Sequence, residues 1–238
     1  MSHEQDELVM ELLRSVALCC RDRNLHVTVT RNTSSPSDIF LKHFPFSITV
    51  LQNSSPRGFG ANHNQAFAHC KEEYFCVVNP DIVLKTDPFD SLISCLSNQK
   101  IGLVAPALVD SEGKLQDSAR LFPTPGRIFR RVFSGAEKKY TAPSSVQAIF
   151  PDWVAGMFML FPAHVYREIN GFDEQYFMYC EDADICMRLA EQGYRTQFVP
   201  QVQAIHNPRR ASHGTIRHMS WHVLSLLRFF CRYPFYRL

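Results

Sequence analysis

The segment Tyr74-Phe75-Cys76-Val77-Val78, followed by Asn79-Pro80-Asp81, decides the fold of this chain. Five consecutive apolar residues that end at a turn tripeptide are typical of a strand buried on both faces of a parallel sheet. In open α/β sheets, ligands bind beside the carboxyl ends of such strands. An isolated Asn-Pro-Asp is also an ordinary turn. The segment therefore predicts an α/β sheet and makes Asp81 a candidate ligand for a hard divalent cation.

Strands and helices alternate around this segment through the first 105 residues. Such alternation predicts a parallel sheet flanked by helices. The other predicted elements of this part are a helix over 8–17, strands at 26–30 and 47–51, a helix at 61–71, a helix at 88–97 and a strand at 101–104.

The pattern is less regular from 106 to 150, where prolines interrupt it, and it becomes regular again at Trp153. No internal repeat or linker divides the chain, so we expect one domain over residues 1–238. After a regular segment at 153–161, the later predicted elements are helices at 163–169 and 181–192, strand-like segments at 196–199 and 202–206, and a helical end at 215–233.

Composition and charge exclude several classes of protein. The 238 residues are 45% hydrophobic and 20% charged, which is typical of a globular protein. A formal net charge of +2 gives no general argument for a nucleic-acid partner. The acidic, polar start at 1–7 does not resemble a secretory signal, and no apolar run approaches the ~18 residues of a membrane span. We therefore expect a cytoplasmic protein, in which the eight cysteines are buried thiols rather than zinc ligands.

An acidic run, Glu181-Asp182-Ala183-Asp184, opens a predicted helix after the aromatic segment 171–180. Carboxylates in a first helical turn stabilise the helix dipole, so simple capping is one interpretation. Three clustered carboxylates also raise one another's pKa, which suits a general base. Arg188, two turns into the helix, is placed to offset this charge or to bind a phosphate.

Two further segments are candidates for ligand binding. His206 ends a strand-like segment, where imidazole can bind a metal, although a lone histidine is more often structural. The segment 58–64 begins Gly58-Phe59-Gly60 but has His63 at the third glycine position of a dinucleotide fingerprint. It is better interpreted as a tight turn leading into a helix, whose backbone N–H groups can approach a ligand.

Taken together, these segments resemble the family 2 inverting glycosyltransferases of the GT-A fold, and in particular their rhamnosyltransferase-like branch. The resemblance spans about residues 5–213, and its most specific part is Gly171-Phe172-Asp173-Glu174 leading into Glu-Asp-x-Asp-x-Cys-x-Arg at 181–188. The other matching segments are 57–64, 78–81, 152–160, 193–194 and His206.

The resemblance implies a Rossmann-like α/β fold with a mostly parallel central sheet and flanking helices. It implies a nucleotide-sugar-binding half at 1–110, an acceptor and catalytic half at 111–214, and an aromatic, basic C-terminal helix at 215–238. Its partners would be a nucleotide-diphosphate sugar donor and a glycan or lipid-linked saccharide acceptor.

The resemblance also implies roles for single residues. Asp81 resembles the acid that holds Mg²⁺ or Mn²⁺ against the nucleotide diphosphate, and His206 a further metal ligand. Asp182 resembles the catalytic base that deprotonates the acceptor hydroxyl, so that transfer proceeds with inversion. The implied donor-binding residues are Asn32, Gly58, Asn62, Asn79, Asp81 and Arg188, and the implied acceptor-binding residues are Trp153, Gly156 and Glu181.

Two departures from the family pattern open alternatives. The apolar first strand of the family is absent, since residues 2–5 resemble only its end and the turn after it. Arg31-Asn32-Thr33-Ser34 stands where the family has Asp-Asn-x-Ser, so the nucleotide base is not assigned. The alternatives are a nucleotide-sugar-binding relative with little or no catalysis and, third, a metal-dependent phosphoesterase.

The last segment, 221–238, mixes aromatic side chains with arginines. Such a helix can lie in a bilayer interface and be attracted by anionic lipid. The hypothesis is peripheral contact with the inner face of the membrane, where lipid-linked acceptors of the family are glycosylated. Docking of the helix on the core, or a homodimer contact, is the alternative, and any helix should break near Pro234.

Overall fold

The computed structural model describes residues 1–33, 44–128, 148–207 and 216–234. The helices are α1 Asp6–Cys19, α2 Phe59–Phe67, α3 Phe89–Leu96, α4 Ala163–Glu168, α5 Glu181–Glu191 and α6 Ile216–Arg232. The strands are β1 His26–Arg31, β2 Ser47–Gln52, β3 Tyr74–Val78, β4 Ile82–Val83, β5 Ile101–Val109, β6 Ala119–Arg120, β7 Trp153–Val154, β8 Phe158–Pro162 and β9 Arg195–His206.

The central sheet has five strands in the order β3-β8-β5-β9-β4. The strands β3, β5 and β9 run in one direction, and β8 and β4 run in the other. The α/β class is therefore confirmed, but this sheet is mixed rather than mostly parallel. Hydrophobic periodicity predicts a strand without its direction, so the insertion of β8 between β3 and β5 was not predicted.

Two smaller sheets lie beside the central one. The strands β1 and β2 form a separate parallel pair, and β6 and β7 form an antiparallel pair. Among the described residues, no strand joins β1 to β3.

The core is built on both faces of β5, all nine residues of which are buried. Leu103 and Ala105 pack in the same cluster as Ile185 of α5, whereas Val104 packs with Leu92 of α3. Side chains of a strand alternate between faces, so helices on opposite sides of the sheet share β5. This arrangement fixes the start of α5 against one face of the central sheet.

Most predicted elements agree with the structure, but several differ in their bounds. The helix predicted at 61–71 is α2, Phe59–Phe67, and the regular segment at 153–161 is divided between β7 and β8. The strand at 74–78 has its predicted bounds, but β5 extends past the predicted end at 104 to Val109. The predicted strands at 196–199 and 202–206 are one strand, β9. The pairing register of β5 and β9 shifts between Pro106 and Ala107, which is an irregularity within one continuous ladder. The sequence pattern of β9 is interrupted there, so it predicted two strands instead of one.

The C-terminal helix α6 docks one face on the core. Phe229 is buried, the Ser225 hydroxyl donates to the Met178 carbonyl at 2.8 Å, and the Tyr233 hydroxyl donates to Asp184 Oδ1 at 2.9 Å. The helix ends at Arg232, as expected from Pro234. Docking is thus confirmed for this face; residues 235–238 of the predicted interfacial segment lie outside the described part of the chain. None of the helices in the described part is long and apolar enough to cross a membrane.

Candidate active site

The acidic run lies at the N-terminus of α5, after two residues in the left-handed region. Tyr179 has φ 71° and Cys180 has φ 62°. Non-glycine residues in this conformation cost about 1–3 kcal/mol each and are found at functional sites. The sharp change of direction buries the Glu181 side chain and leaves Asp182 half-buried.

Backbone N–H groups hold the Asp182 carboxylate. Oδ2 accepts a hydrogen bond from the Gly156 N–H at 3.2 Å, and Oδ1 accepts one from the Ala183 N–H at 2.9 Å. A Cβ at Gly156 would lie 3.1 Å from the Phe59 ring and 3.7 Å from the Asp182 Cβ. The absence of a side chain at 156 therefore lets the backbone reach the carboxylate.

Burial and local partners affect the pKa values of the neighbouring carboxyls Glu181 and Asp182 differently. Burial raises the pKa of Glu181 well above its usual range, and the adjacent Asp182 charge adds to the rise. Burial also raises the pKa of Asp182, but the Gly156 N–H, the Arg120 charge and the Ala183 N–H oppose that rise. Oε2 of Glu181 is buried and has no partner among the described residues. Burial and the neighbouring charge therefore favour the neutral form of Glu181, whereas the N–H groups and Arg120 favour the ionised form of Asp182.

Asp81 and His206 face each other at the carboxyl ends of two strands. The carboxylate Oδ2 of Asp81 lies 3.3 Å from Nε2 of His206. Gln116 donates from Nε2 to the His206 carbonyl at 2.8 Å, so its Oε1 is the acceptor that contacts Nδ1 of the imidazole. In the neutral imidazole this pairing puts the proton on Nδ1, and the lone pair of Nε2 then points at a carboxylate oxygen.

One short segment links the two acidic positions. Gly156 donates its N–H to Asp182, and the carbonyl of the next residue, Met157, accepts from the Asn79 N–H at 2.9 Å. Asn79 precedes Asp81 by two residues, at the end of β3. The structure therefore brings the predicted base and the predicted metal ligands to one end of the central sheet.

The predicted donor-binding residues Asn32, Asn62 and Gly58 belong to a buried amide network. Asn32 Oδ1 accepts from the Arg57 N–H at 2.7 Å and from the Asn53 amide at 2.9 Å. Asn62 Nδ2 donates to the Gly58 carbonyl at 2.8 Å. These side chains hold the loop before α2, and their contact with a donor stays a prediction.

Arg188, also predicted to bind the donor, has partners within the protein. Its guanidinium donates to Asp184 Oδ2 at 2.8 Å, to the Ile169 carbonyl at 2.6 Å and to the Gly171 carbonyl at 2.7 Å. The side chain thus ties the loop at 169–171 to α5. The ion pair with Asp184 fits the interpretation that Arg188 offsets the charge of the acidic run, and its contact with a donor stays a prediction.

Trp153, a predicted acceptor-binding residue, is half-buried on β7. Its indole N–H donates to the Leu121 carbonyl at 2.9 Å, and the Arg120 guanidinium lies 5.1 Å from the ring centre. The hydrogen bond and the cation–π contact fix the ring, while part of its surface remains accessible.

Sequence reasoning missed Gln116 and Asn53. Gln116 orients the His206 ring, and Asn53 joins Asn32 to Asn62, with its amide 2.7 Å from Asn62 Oδ1. Gln116 lies in the irregular part of the sequence, 90 residues from its partner, and no local pattern marks it. Across the described part of the chain, no group of three or more His, Cys, Asp or Glu side chains is arranged to hold a metal.

Comparisons with known proteins agree with this geometry. The family model for "Glycosyltransferase like family 2" matches residues 2–222. The rhamnosyltransferase WbbL of Escherichia coli K12 is 31% identical, over 98% of this chain and 91% of its own length. The N-acetylglucosaminyl-diphospho-decaprenol L-rhamnosyltransferase of Mycobacterium tuberculosis is 24% identical, over 81% of this chain and 71% of its own.

Solved structures show the same fold. GalNAc-T7 with UDP, GalNAc and Mn²⁺ superposes with a TM-score of 0.67 at 13% identity, over 95% of this chain and 47% of that one. The mannosyltransferase PcManGT of Pyrobaculum calidifontis, in complex with GDP-Man and Mn²⁺, superposes with a TM-score of 0.65 at 17% identity. The match covers 97% of this chain and 62% of that one. This chain spans less than two thirds of either solved chain. The chain therefore belongs to the glycosyltransferase-like family 2, and its fold is the GT-A fold.

Proposed function

We propose that this protein is a metal-dependent inverting glycosyltransferase that moves a sugar from a nucleotide-diphosphate sugar to a hydroxyl of a glycan or lipid-linked saccharide. The observation that carries the proposal is the Asp182 carboxylate, which accepts hydrogen bonds from two backbone N–H groups beside the buried Glu181, whose pKa burial raises. Rhamnose is the first candidate sugar, because both curated relatives described above are named rhamnosyltransferases.

The proposed chemistry begins with a proton transfer to Asp182. The carboxylate takes the proton of the acceptor hydroxyl while the hydroxyl oxygen forms a bond to the anomeric carbon of the donor. The bond from that carbon to the phosphate oxygen breaks, and the nucleotide diphosphate leaves with the electron pair. Attack from the face opposite the leaving group inverts the anomeric configuration.

The residues at the Asp81–His206 pair fit a divalent cation. Oδ2 of Asp81 and Nε2 of His206 are both electron-pair donors when the imidazole is neutral, and such groups at 3.3 Å repel unless a proton or cation lies between them. Oδ1 of Asp81 is buried and has no partner among the described residues. Mg²⁺ or Mn²⁺ held here would neutralise the charge that develops on a leaving diphosphate.

A thermal-shift screen of nucleotide sugars, with and without Mn²⁺, tests the proposal. We expect one donor class to raise the melting temperature only when Mn²⁺ is present, since binding to the folded state stabilises it. Transfer to an added acceptor then distinguishes an enzyme from a binding relative with weak catalysis. Phosphate release without an acceptor, or no shift with any nucleotide sugar, would contradict the transferase function.

The exposed face of α6 supports peripheral membrane contact as part of the same proposal. Met219, Val223, Leu224 and Leu227 are 50–70% exposed, although they are large and apolar. Arg217 lies at the start of the same helix, near the exposed Met219. An apolar face with a nearby cation suits an anionic lipid surface, which would place the enzyme at the inner face of the membrane.

Flotation with anionic liposomes tests this contact. We expect Leu224→Glu and Leu227→Glu to abolish flotation without lowering the melting temperature, because both side chains lie away from the docked face. Leu18→Glu on α1 is the matched control, since Leu18 is 65% exposed. Failure of the parent protein to float, or concentration-dependent self-association that these variants remove, would instead favour a homodimer contact.

A further inference from the structure

The first half of α6 packs on the loop that precedes the proposed base. The ring centres of Trp221 and Phe177 lie 4.7 Å apart, and the Tyr179 hydroxyl lies 2.9 Å from Nδ1 of His218. The ring centre of His222 lies 4.9 Å from that of Tyr179. These five side chains form one group, called the aromatic cluster below, which joins two distant parts of the sequence.

The aromatic cluster contributes to the surface of the protein rather than to its core. In the described part of the chain, none of its five members belongs to the buried hydrophobic clusters. His222 is exposed, and the other four side chains are half-buried. Aromatic side chains that are fixed in place but remain accessible are available to contact a ligand.

The loop under the aromatic cluster is held by two helices. The Phe177 carbonyl accepts from the Phe59 N–H of α2 at 2.9 Å, and the Met178 carbonyl accepts from the Ser225 hydroxyl of α6 at 2.8 Å. Tyr179 then has φ 71°, a left-handed conformation that is unusual for a bulky residue. Such strain persists only where the surroundings fix it, and it is found at functional sites. The Tyr179 ring is therefore positioned in advance of any ligand.

Tyr179 is also close to the acidic run. It precedes Asp182 by three residues, and the intervening Cys180 has φ 62°. Burial raises the pKa of the Tyr179 phenol, and the charge of Glu181 adds to the rise, so the phenol and the acidic run are near each other. The aromatic cluster thus borders the position at which an acceptor hydroxyl would meet the Asp182 carboxylate.

The chemistry of the aromatic cluster suits a sugar ring. A pyranose has apolar C–H groups on its faces and hydroxyl groups around its edge. The Tyr179 ring can contact such a face, and the exposed imidazole of His222 can donate or accept a hydrogen bond at the edge. Ligand sites generally combine aromatic surface with a few polar groups in this way.

The helix geometry separates the aromatic cluster from the face proposed to contact lipid. His218 and Trp221 are three residues apart and share the face that packs on the loop. Met219, Val223 and Leu227 are spaced by four residues on a different face, where they are 50–70% exposed. One face of α6 is therefore aromatic and polar beside the site, and the other is aliphatic and accessible to a bilayer.

We propose that the aromatic cluster is a saccharide-binding subsite, in which Tyr179 stacks on one pyranose ring of the acceptor and His222 contacts its hydroxyls. The inference rests on the proposed transferase function, from which the class of acceptor follows. It adds that α6 takes part in recognising the acceptor, although this helix lies far along the chain from the loop that carries the proposed base.

Saturation-transfer difference NMR tests the subsite directly, without donor or metal. The probes are the methyl β-glycosides of N-acetylglucosamine, glucose and galactose. We expect at least one to bind the parent protein, with the strongest saturation at its ring C–H protons. Tyr179→Asn removes the ring, and asparagine tolerates the left-handed backbone. This variant should weaken binding roughly tenfold, the scale of one stacking contact, and His222→Ala should weaken it in the same direction.

Leu224→Glu, on the other face of α6, is the matched control. It should bind the glycoside as the parent does but lose flotation with anionic liposomes, whereas Tyr179→Asn should do the opposite. In a transfer assay, Tyr179→Asn should raise the KM for the glycoside by a similar factor and keep most of kcat, because it removes binding and not the base.

Four results would overturn the subsite. They are no saturable binding of any probe to the folded parent, parent affinity in both Tyr179→Asn and His222→Ala, loss of binding only together with a lower melting temperature in both variants, and self-association of the parent that His222→Ala removes. The third result would show a structural role, and the fourth a contact between two copies of the chain.

The experiment also separates this inference from the proposed function. Glycoside binding that depends on Tyr179, without transfer from any nucleotide sugar, would support the subsite and contradict the transferase function. Transfer with an unchanged KM for the glycoside in both variants would support the transferase function and overturn the subsite.

Discussion

The two acidic positions of the site are held in different ways. Asp81 follows a strand and faces a histidine across 3.3 Å, with one carboxylate oxygen buried and unpartnered among the described residues. Asp182 opens a helix and accepts from two backbone N–H groups, beside a second carboxyl whose pKa is strongly raised. The first arrangement leaves room for a positive charge, and in the second the backbone N–H groups favour the ionised form of a base.

This difference shows how one chain can separate cation binding from proton transfer. A carboxylate that binds a metal needs free oxygen lone pairs and a second ligand beside it. A carboxylate that acts as a base near neutral pH needs a raised pKa but must remain ionised. Burial raises the pKa of Asp182, while the Gly156 and Ala183 N–H groups and the Arg120 charge favour its ionised form.

The largest effect is expected from Asp182→Asn. The amide cannot accept the acceptor proton, so turnover should fall by ~10²-fold or more, as for loss of general-base catalysis. Donor affinity should stay near that of the parent, because Asp182 is not in the proposed metal site. Initial rates and calorimetry measure the two quantities.

Glu191→Gln, at the exposed end of the same helix, is the control for this variant. Transfer by Asp182→Asn at the parent rate would show that another residue is the base. Asp81 and Asp182 could then no longer be contrasted as metal ligand and base.

The next effect is expected from Asp81→Ala. Loss of the carboxylate should weaken nucleotide-sugar binding in Mn²⁺ by at least ~10-fold, the loss typical even for an outer partner of a metal ligand. Binding should also stop depending on Mn²⁺. Calorimetry with and without Mn²⁺ measures the affinity and its metal dependence. Glu112→Ala, in an exposed turn, is the control. Unchanged affinity and unchanged metal dependence would exclude Asp81 as a ligand.

A milder effect of the same kind is expected from His206→Ala, roughly a few-fold to tenfold in Mn²⁺-dependent binding. Gln116→Leu should act in the same direction, because it removes the group that holds the proton on Nδ1. Metal titration by calorimetry distinguishes this from a structural role. Normal metal affinity together with a lower melting temperature would show that His206 only supports the fold.

The smallest effect on activity is expected from Glu181→Gln. Glutamine resembles the protonated acid, so turnover should be nearly kept, in contrast to Asp182→Asn. The folded state binds a proton on Glu181 at pH values where the unfolded chain, with an ordinary pKa near 4.5, has released it. Stability of the parent should therefore fall as pH rises above about 4.5, up to the raised pKa of the folded state.

The Glu181→Gln variant lacks this loss and should therefore be more stable than the parent near neutral pH. Chemical denaturation of parent and variant at several pH values measures the difference, with Glu191→Gln as the control. Parallel pH profiles for parent and variant would show that Glu181 is not the proton carrier.

Local patterns predicted most elements and the site segments. Three examples depend only on residues that are close in sequence: the strand at 74–78, the helix after Cys180 and the end of the last helix near Pro234. Local patterns did not predict the pairing of β8, because direction and partner depend on residues far along the chain. They also gave no sign that Asn32, Asn62 and Arg188 make hydrogen bonds to backbone groups within the protein.

The sequence by itself determined the α/β class, the family resemblance and the acids of the site, because residue types and spacing carry that information. Only the tertiary structure decided what each acid can do. Gly156 reaches Asp182 across 26 residues, and Gln116 orients His206 across 90. Protonation depends on burial and on these partners, so the difference between Glu181 and Asp182 exists only once the chain has folded.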